Sequence, residues 1–92
     1  MHVSAAKLTF YIPYATSLKD KRQVCRHLID KARHKFNAAI NEVDTVDALQ
    51  TCTIGIATIS GQAYHAKEAL ETIIAFMESH TDAELMEIDD SY

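Results

Sequence analysis

Seven of the nine basic residues of this 92-residue chain fall between Lys19 and Lys35: Lys19, Lys21, Arg22, Arg26, Lys31, Arg33 and Lys35. Arginine presents a planar fork of donors and lysine a compact charge, so such a group is suited to holding phosphate oxygens. Only Asp20 and Asp30 oppose the seven, which leaves that segment at +5. Elsewhere Lys7 and Lys67 face eleven carboxylates, a balance of −9, so the total of −4 conceals a strong separation of charge.

At about 100° per helical residue, Lys19, Arg22, Arg26 and Arg33 share a stripe roughly 60° wide beside the apolar face. Lys21, Lys31 and Lys35 read instead as long stems flanking that face. Three uses of the stripe stay open. It can contact phosphates, it can be a solvated flank covering a sheet edge, or it can meet an acidic patch of another subunit, such as Glu84, Glu87, Asp89 and Asp90.

Other chemistry-bearing residues are less well placed. His27 and His34 share a helical face but stand about 10.5 Å apart along the axis, too far to bridge one ion. His65 lies near Glu68 and Glu71 in a set that reads as a solvated face, and no metal or cofactor site is expected. Cys25 and Cys52 are too few for a disulfide framework and lack zinc spacing, so both read as small, reduced core residues. Glu42, Asp44 and Asp47 suit a solvated turn. The chain has neither a phosphate-cradling glycine loop nor a recognisable Ser/His/Asp order, and catalysis is not expected.

The elements that must position these groups follow from periodicity. Residues 3–12 alternate, with Ala6, Leu8, Phe10 and Ile12 on one side, and predict a long strand ended by Pro13. Ser17 is a helix N-cap, with Asp20 three residues on as in a shortened capping box. Leu18, Cys25, Leu28, Ile29, Ala32 and Phe36 follow helical spacing, and Asn37 is placed to close that helix in a left-handed conformation. Residues 38–43 form a weaker strand, and Asp44–Asp47 a turn. Residues 51–59, rich in β-branched side chains, form a strong strand. Gln62–His80 is a second amphipathic helix, with Ala66, Ala69, Leu70, Ile73, Phe76 and Met77 inward. Residues 83–89 close the chain as a short strand.

The resulting order β-α-β-β-α-β, spanning residues 1–92 as one domain, predicts an α+β ferredoxin-like sandwich: a four-stranded antiparallel sheet with both helices on one face. The other face is left open. Thr9, Tyr11, Gly55 and Ala57 form a flat patch there, suited to a second sheet in a homo-oligomer. Base stacking on that face is not expected, since no aromatic lies between Thr51 and Ser60.

Bulk properties agree with a folded domain. Hydrophobic residues make up 48% and charged residues 24%, which is ordinary for a soluble globular protein and argues against disorder. No apolar run nears the ~18 residues that span a bilayer, and the N-terminus lacks a basic start followed by an apolar stretch, so a cytoplasmic protein without membrane contact is expected.

The run Ser17-Leu18-Lys19-Asp20-Lys21-Arg22, after a strand ending in Pro13, resembles the signature of the YlxP-like bacterial proteins. Phe36-Asn37, Glu42-Val43-Asp44 and Thr53-Ile54-Gly55-Ile56-Ala57 running on to Ser60 extend the resemblance over essentially the whole chain. Tyr14 departs from it, because relatives usually place glycine after the proline. The resemblance implies a ferredoxin-like fold and no established function. It also implies genes that neighbour those of ribosome maturation and translation initiation factors. The expectation is therefore a binding module associated with RNA or the ribosome through Lys19, Arg22, Arg26 and Arg33. The alternative is an oligomeric protein-interaction or small-ligand-sensing domain that uses the open sheet face.

Overall fold

Alternation along the first strand and 3.6-residue spacing in the helices resolve into six elements in a computed structural model that describes all 92 residues. They are β1 (His2–Tyr11), α1 (Leu18–Lys35), β2 (Ala39–Val43), β3 (Thr51–Ser60), α2 (Ala63–Ser79) and β4 (Glu84–Asp89). The strands form one antiparallel sheet in the order β2-β3-β1-β4. Each helix connects strands that are parallel to one another but separated by one central strand, which is the α+β ferredoxin-like arrangement.

The core lies between the sheet and the two helices. β1 gives it Ala6, Leu8 and Phe10, and β3 gives Cys52, Ile54 and Ile56. From α1 come Cys25, Leu28, Ile29 and Ala32, and from α2 come Leu70, Ile73 and Met77. Each fully buried Leu or Ile contributes about 1.5–3 kcal/mol, so this small layer carries the fold. Ala69 does not join it; that residue is exposed, and the buried row of α2 is Ala66, Leu70, Ile73 and Met77. Thr53 and Thr58 are the buried polar members of β3, and the Thr58 hydroxyl lies 2.7 Å from the carbonyl of Ala66.

Ser17 caps α1 as its spacing predicts, its hydroxyl accepting from the Asp20 amide at 3.1 Å. Asp20, however, does not return to the cap residue. Its carboxylate accepts from the amide and hydroxyl of Thr16, one residue earlier, at 3.2 and 2.7 Å. Asn37 does not close the helix. The chain turns at Phe36 in an extended conformation (φ −122°, ψ 144°), and the Phe36 amide donates back to the Ala32 carbonyl. Phe36 packs edge-on against Phe76 at 5.3 Å, and β2 starts three residues later, so an extended exit serves both. The left-handed residue is Asp44 (φ 56°), in the turn after β2, where a short polar side chain tolerates that region.

Cys25 of α1 and Cys52 of β3 are both buried, as core residues should be. They are also joined by a disulfide across 27 residues of sequence, with Cα atoms 6.4 Å apart. That corrects the expectation of two separate, reduced thiols. One residue stands on a helix and the other on a strand, so their contact is a product of the crossover and invisible to local spacing.

Candidate nucleic-acid interface

The basic stripe starts where the loop before α1 meets the loop between β2 and β3 and runs along the helix to Arg33 in its last turn. Gln50 ties these loops together: its side-chain amide donates to the carbonyls of Pro13 and Ala15, and its own carbonyl accepts from the Ile12 amide. Thr45 fastens the second loop to β3 by accepting from the Thr53 amide at 2.9 Å. The first turn of α1 is thereby held against a fixed platform.

Lys21 supplies the strongest part of that hold, and it overturns the reading of this residue as a flanking stem. Its side chain is fully buried. The ammonium lies 2.6 Å from a Glu42 carboxylate oxygen, 2.9 Å from the Thr45 carbonyl and 3.2 Å from that of Val46. Three acceptors meet its three donors, which is what a buried ammonium requires. A residue type suited to binding partners here binds the protein itself.

All four stripe residues, Lys19, Arg22, Arg26 and Arg33, are exposed on α1, and what separates them is their hydrogen bonding. Arg22 has one nearby carboxylate, the fully solvated Asp47 at 3.9 Å, and Arg26 has no ion-pair partner. Arg33 is different. Its guanidinium donates to the Ile40 carbonyl at 2.8 Å and to the side chain of Asn41, so it is committed to β2. Because β2 is an edge strand, Arg33 occupies backbone that would otherwise be free for strand addition. The free stripe is therefore three residues long.

The opposite flank of α1 carries a second group that stripe reasoning passed over. His27, Lys31, His34 and Lys35 line an open groove toward α2 with Asp30, Phe76 and His80. The His80 ring stacks on Phe76 at 3.9 Å, and the Lys35 ammonium stands 4.9 Å above the same Phe76 ring. The spacing of 27, 31, 34 and 35 marks one helical face, but only the packing of α2 makes it a groove. Tyr14 borders the neighbouring hollow with His27, Lys31 and Asp82; burial first, and then the Asp82 charge, push its phenol up.

On the open sheet face, the register changes the company of the predicted patch. Gly55 lies opposite Lys7 and Ala57 opposite Ala5, whereas Thr9 pairs with Thr53 and Tyr11 with Thr51. Thr9 and Tyr11 therefore sit further along the strand, away from the dish. A shallow cavity of about 410 Å³ lies over Gly55 and Ala57, walled by Ala5, Ala39, Lys7 and Asn41. Lys7 bonds Asp44 at 2.6 Å, and that hydrogen bond, with a further one to Tyr92, raises its ammonium above the ordinary range. Val43 already fills the space above Gly55, where an added Cβ would come within 3.3 Å of it.

Cys25, Glu42 and Cys52 place two sulfurs and a carboxylate oxygen within 4.8 Å of one another, a set of metal-donor types. The sulfurs are bonded to each other, so that donor set is closed in this state. No helix is long and apolar enough to cross a membrane.

Fold and surface together define a small ferredoxin-like α+β domain with a basic helix and an uncovered sheet. The chain belongs to the family described as a protein of unknown function (DUF503), whose pattern matches residues 3–90. It is 33% identical over 70 residues to the uncharacterised protein YlxP of Bacillus subtilis (strain 168), covering 76% of each chain.

Proposed function

We propose that this chain is a non-catalytic, cytoplasmic binding module that docks on the phosphodiester backbone of RNA, in the setting of a ribosomal particle. Lys19, Arg22 and Arg26 are its contact residues. The observation that carries the reading is the exposure of these three cations on a helix anchored at its first turn, with Arg26 unpaired and Arg22 held only by a solvated carboxylate. A helix clamped in place loses little freedom when it docks, which favours even a small set of contacts. With no aromatic on β3, contact is made with backbone phosphates and carries little sequence preference.

Cosedimentation with ribosomal particles over a salt series tests this. Neutralising about three phosphates gives a slope of log K against log salt near −2 to −3. Reversing Arg22 and Arg26 to glutamate should abolish cosedimentation at moderate salt. Binding indifferent to both salt and charge reversal would overturn the proposal.

A second reading, an oligomeric or ligand-sensing domain, is favoured by the dish over Gly55 and Ala57. Ala57→Arg fills it without pressing on Val43, as any Gly55 substitution would. Light scattering that finds the same folded oligomer in wild type and Ala57→Arg would exclude sheet-face packing.

A further inference from the structure

We infer that Cys25 and Cys52 form a reversible thiol–disulfide site, oxidised by peroxide and restored by a dithiol reductant, which fastens α1 to the centre of the sheet. Three observations carry it. The two sulfurs meet across the helix–sheet interface and are bonded there, and they are the only cysteines of the chain, so no other intramolecular pairing competes. The surrounding core is complete without the bond: fifteen other buried hydrophobic residues join the helices to the sheet, and no buried side-chain nitrogen or oxygen lacks a partner. The fold therefore does not depend on the crosslink, and the reduced pair remains two small apolar residues in the same place. Finally, the site has a polar rim. A Glu42 carboxylate oxygen lies 4.0 Å from Cys25 Sγ, and the same oxygen is held by the buried Lys21 ammonium.

The chemistry balances as follows. Cys25 sulfur attacks one peroxide oxygen, the O–O bond breaks, and Cys25 becomes a sulfenic acid. The hydroxide released takes the Cys25 thiol proton, relayed by the adjacent Glu42 carboxylate, and leaves as water. Cys52 sulfur then attacks the sulfenic sulfur, and the displaced hydroxide leaves as a second water with the Cys52 proton. Two thiols lose two electrons and two protons to hydrogen peroxide, giving one disulfide and two waters. A dithiol reverses the change by exchange, returning two electrons and two protons while itself closing to a disulfide. Both sulfurs are buried, at 3% and 1% exposure, and Cys25 reacts first because the partly exposed Glu42 carboxylate lies beside it to take its proton. The bond alters no charge on α1. What it alters is the freedom of the helix to leave the sheet, since the closed loop restricts the unfolded chain.

The test uses the full chain, reduced and freed of metal, then treated with one equivalent of hydrogen peroxide. After denaturation and thiol alkylation, intact mass should show one monomeric species without alkyl groups, and digestion should yield a joined Cys25–Cys52 peptide. The melting temperature should rise by roughly 10–20 °C and return on treatment with dithiothreitol. Cys25→Ala and Cys52→Ala, which keep the core apolar, should lose both the mass change and the temperature shift. Full alkylation after peroxide, sulfinic acid as the main product, or disulfide-linked dimers would each overturn the inference. So would a reduced protein that retains one added zinc ion and thereby resists crosslinking, which would make the three donors a metal centre instead.

Discussion

The Lys21 ammonium sits 2.6 Å from the Glu42 carboxylate, with its remaining donors on two carbonyls of the loop after β2. This pair joins the first turn of α1 to an edge strand and to the loop that follows. It is the reason the basic helix presents its cations in a fixed frame.

Removing one partner leaves the other buried without compensation. Lys21→Met should destabilise the protein by about 3 kcal/mol, because the Glu42 carboxylate and two loop carbonyls lose their donor. Pairing it with Glu42→Leu should recover part of that loss. Urea unfolding of both singles and the double mutant measures the coupling; strictly additive losses would show that the two residues do not act as a pair.

Arg33 and Arg26 should separate stability from binding. Arg33→Ala removes the guanidinium from the Ile40 carbonyl and should cost about 1–2 kcal/mol while exposing the β2 edge. Arg26→Ala should change stability by less than about 0.5 kcal/mol and weaken RNA cosedimentation. Equal loss of binding in both variants would return Arg33 to the contact set.

The cap of α1 has its own signature in acid. Hydrogen bonds from Thr16, through its hydroxyl and then its amide, hold the Asp20 carboxyl below the usual range. Its folded pKa is lower than its unfolded one, so its contribution is complete above the ordinary carboxylate range and is lost as pH falls through the folded value. Asp20→Asn should flatten the part of the stability–pH curve below about pH 4, with little change in shape near neutrality. Ser17→Ala should instead lower stability by about 1 kcal/mol at every pH. Melting curves from pH 3 to 7 distinguish the two behaviours.

Gly55 should gain nothing from a methyl group despite facing the open side of the sheet. Its added Cβ would lie 3.3 Å from Val43 Cγ1, so Gly55→Ala should be neutral to about 1 kcal/mol destabilising, and Val43→Ala should relieve it in the double mutant. Thermal unfolding of the three variants checks this; a strongly stabilising Gly55→Ala would show that Val43 yields freely.

The architecture was legible in the sequence because each element carries its own period. Leu8 and Phe10 alternate with Lys7 and Thr9, and Leu28, Ile29 and Ala32 repeat at helical spacing, so element order and inward faces follow without tertiary information. The site was legible only in outline. Lys21 and Arg33 have the same types as Lys19 and Arg26, and nothing local distinguishes a cation that reaches solvent from one that reaches Glu42 or Ile40. Asn37 is a good helix terminator by type, yet the edge contact of Phe36 with Phe76 decides how the chain leaves the helix. Register, the Cys25–Cys52 contact and the groove beside Lys31 and Lys35 all depend on elements distant in sequence.

The strand order has an electrical consequence. Helix α1 contacts β2 and β3 on one side of the sheet, while β4, at the other edge, carries Glu84, Glu87 and Asp89. The basic helix and the acidic edge strand thus lie toward opposite margins of the four-stranded sheet. Such a body experiences a torque near any strongly anionic surface, even though its net charge of −4 is repelled as a whole. Within roughly a Debye length, about 8 Å at physiological salt, it turns α1 forward and β4 away before any contact forms.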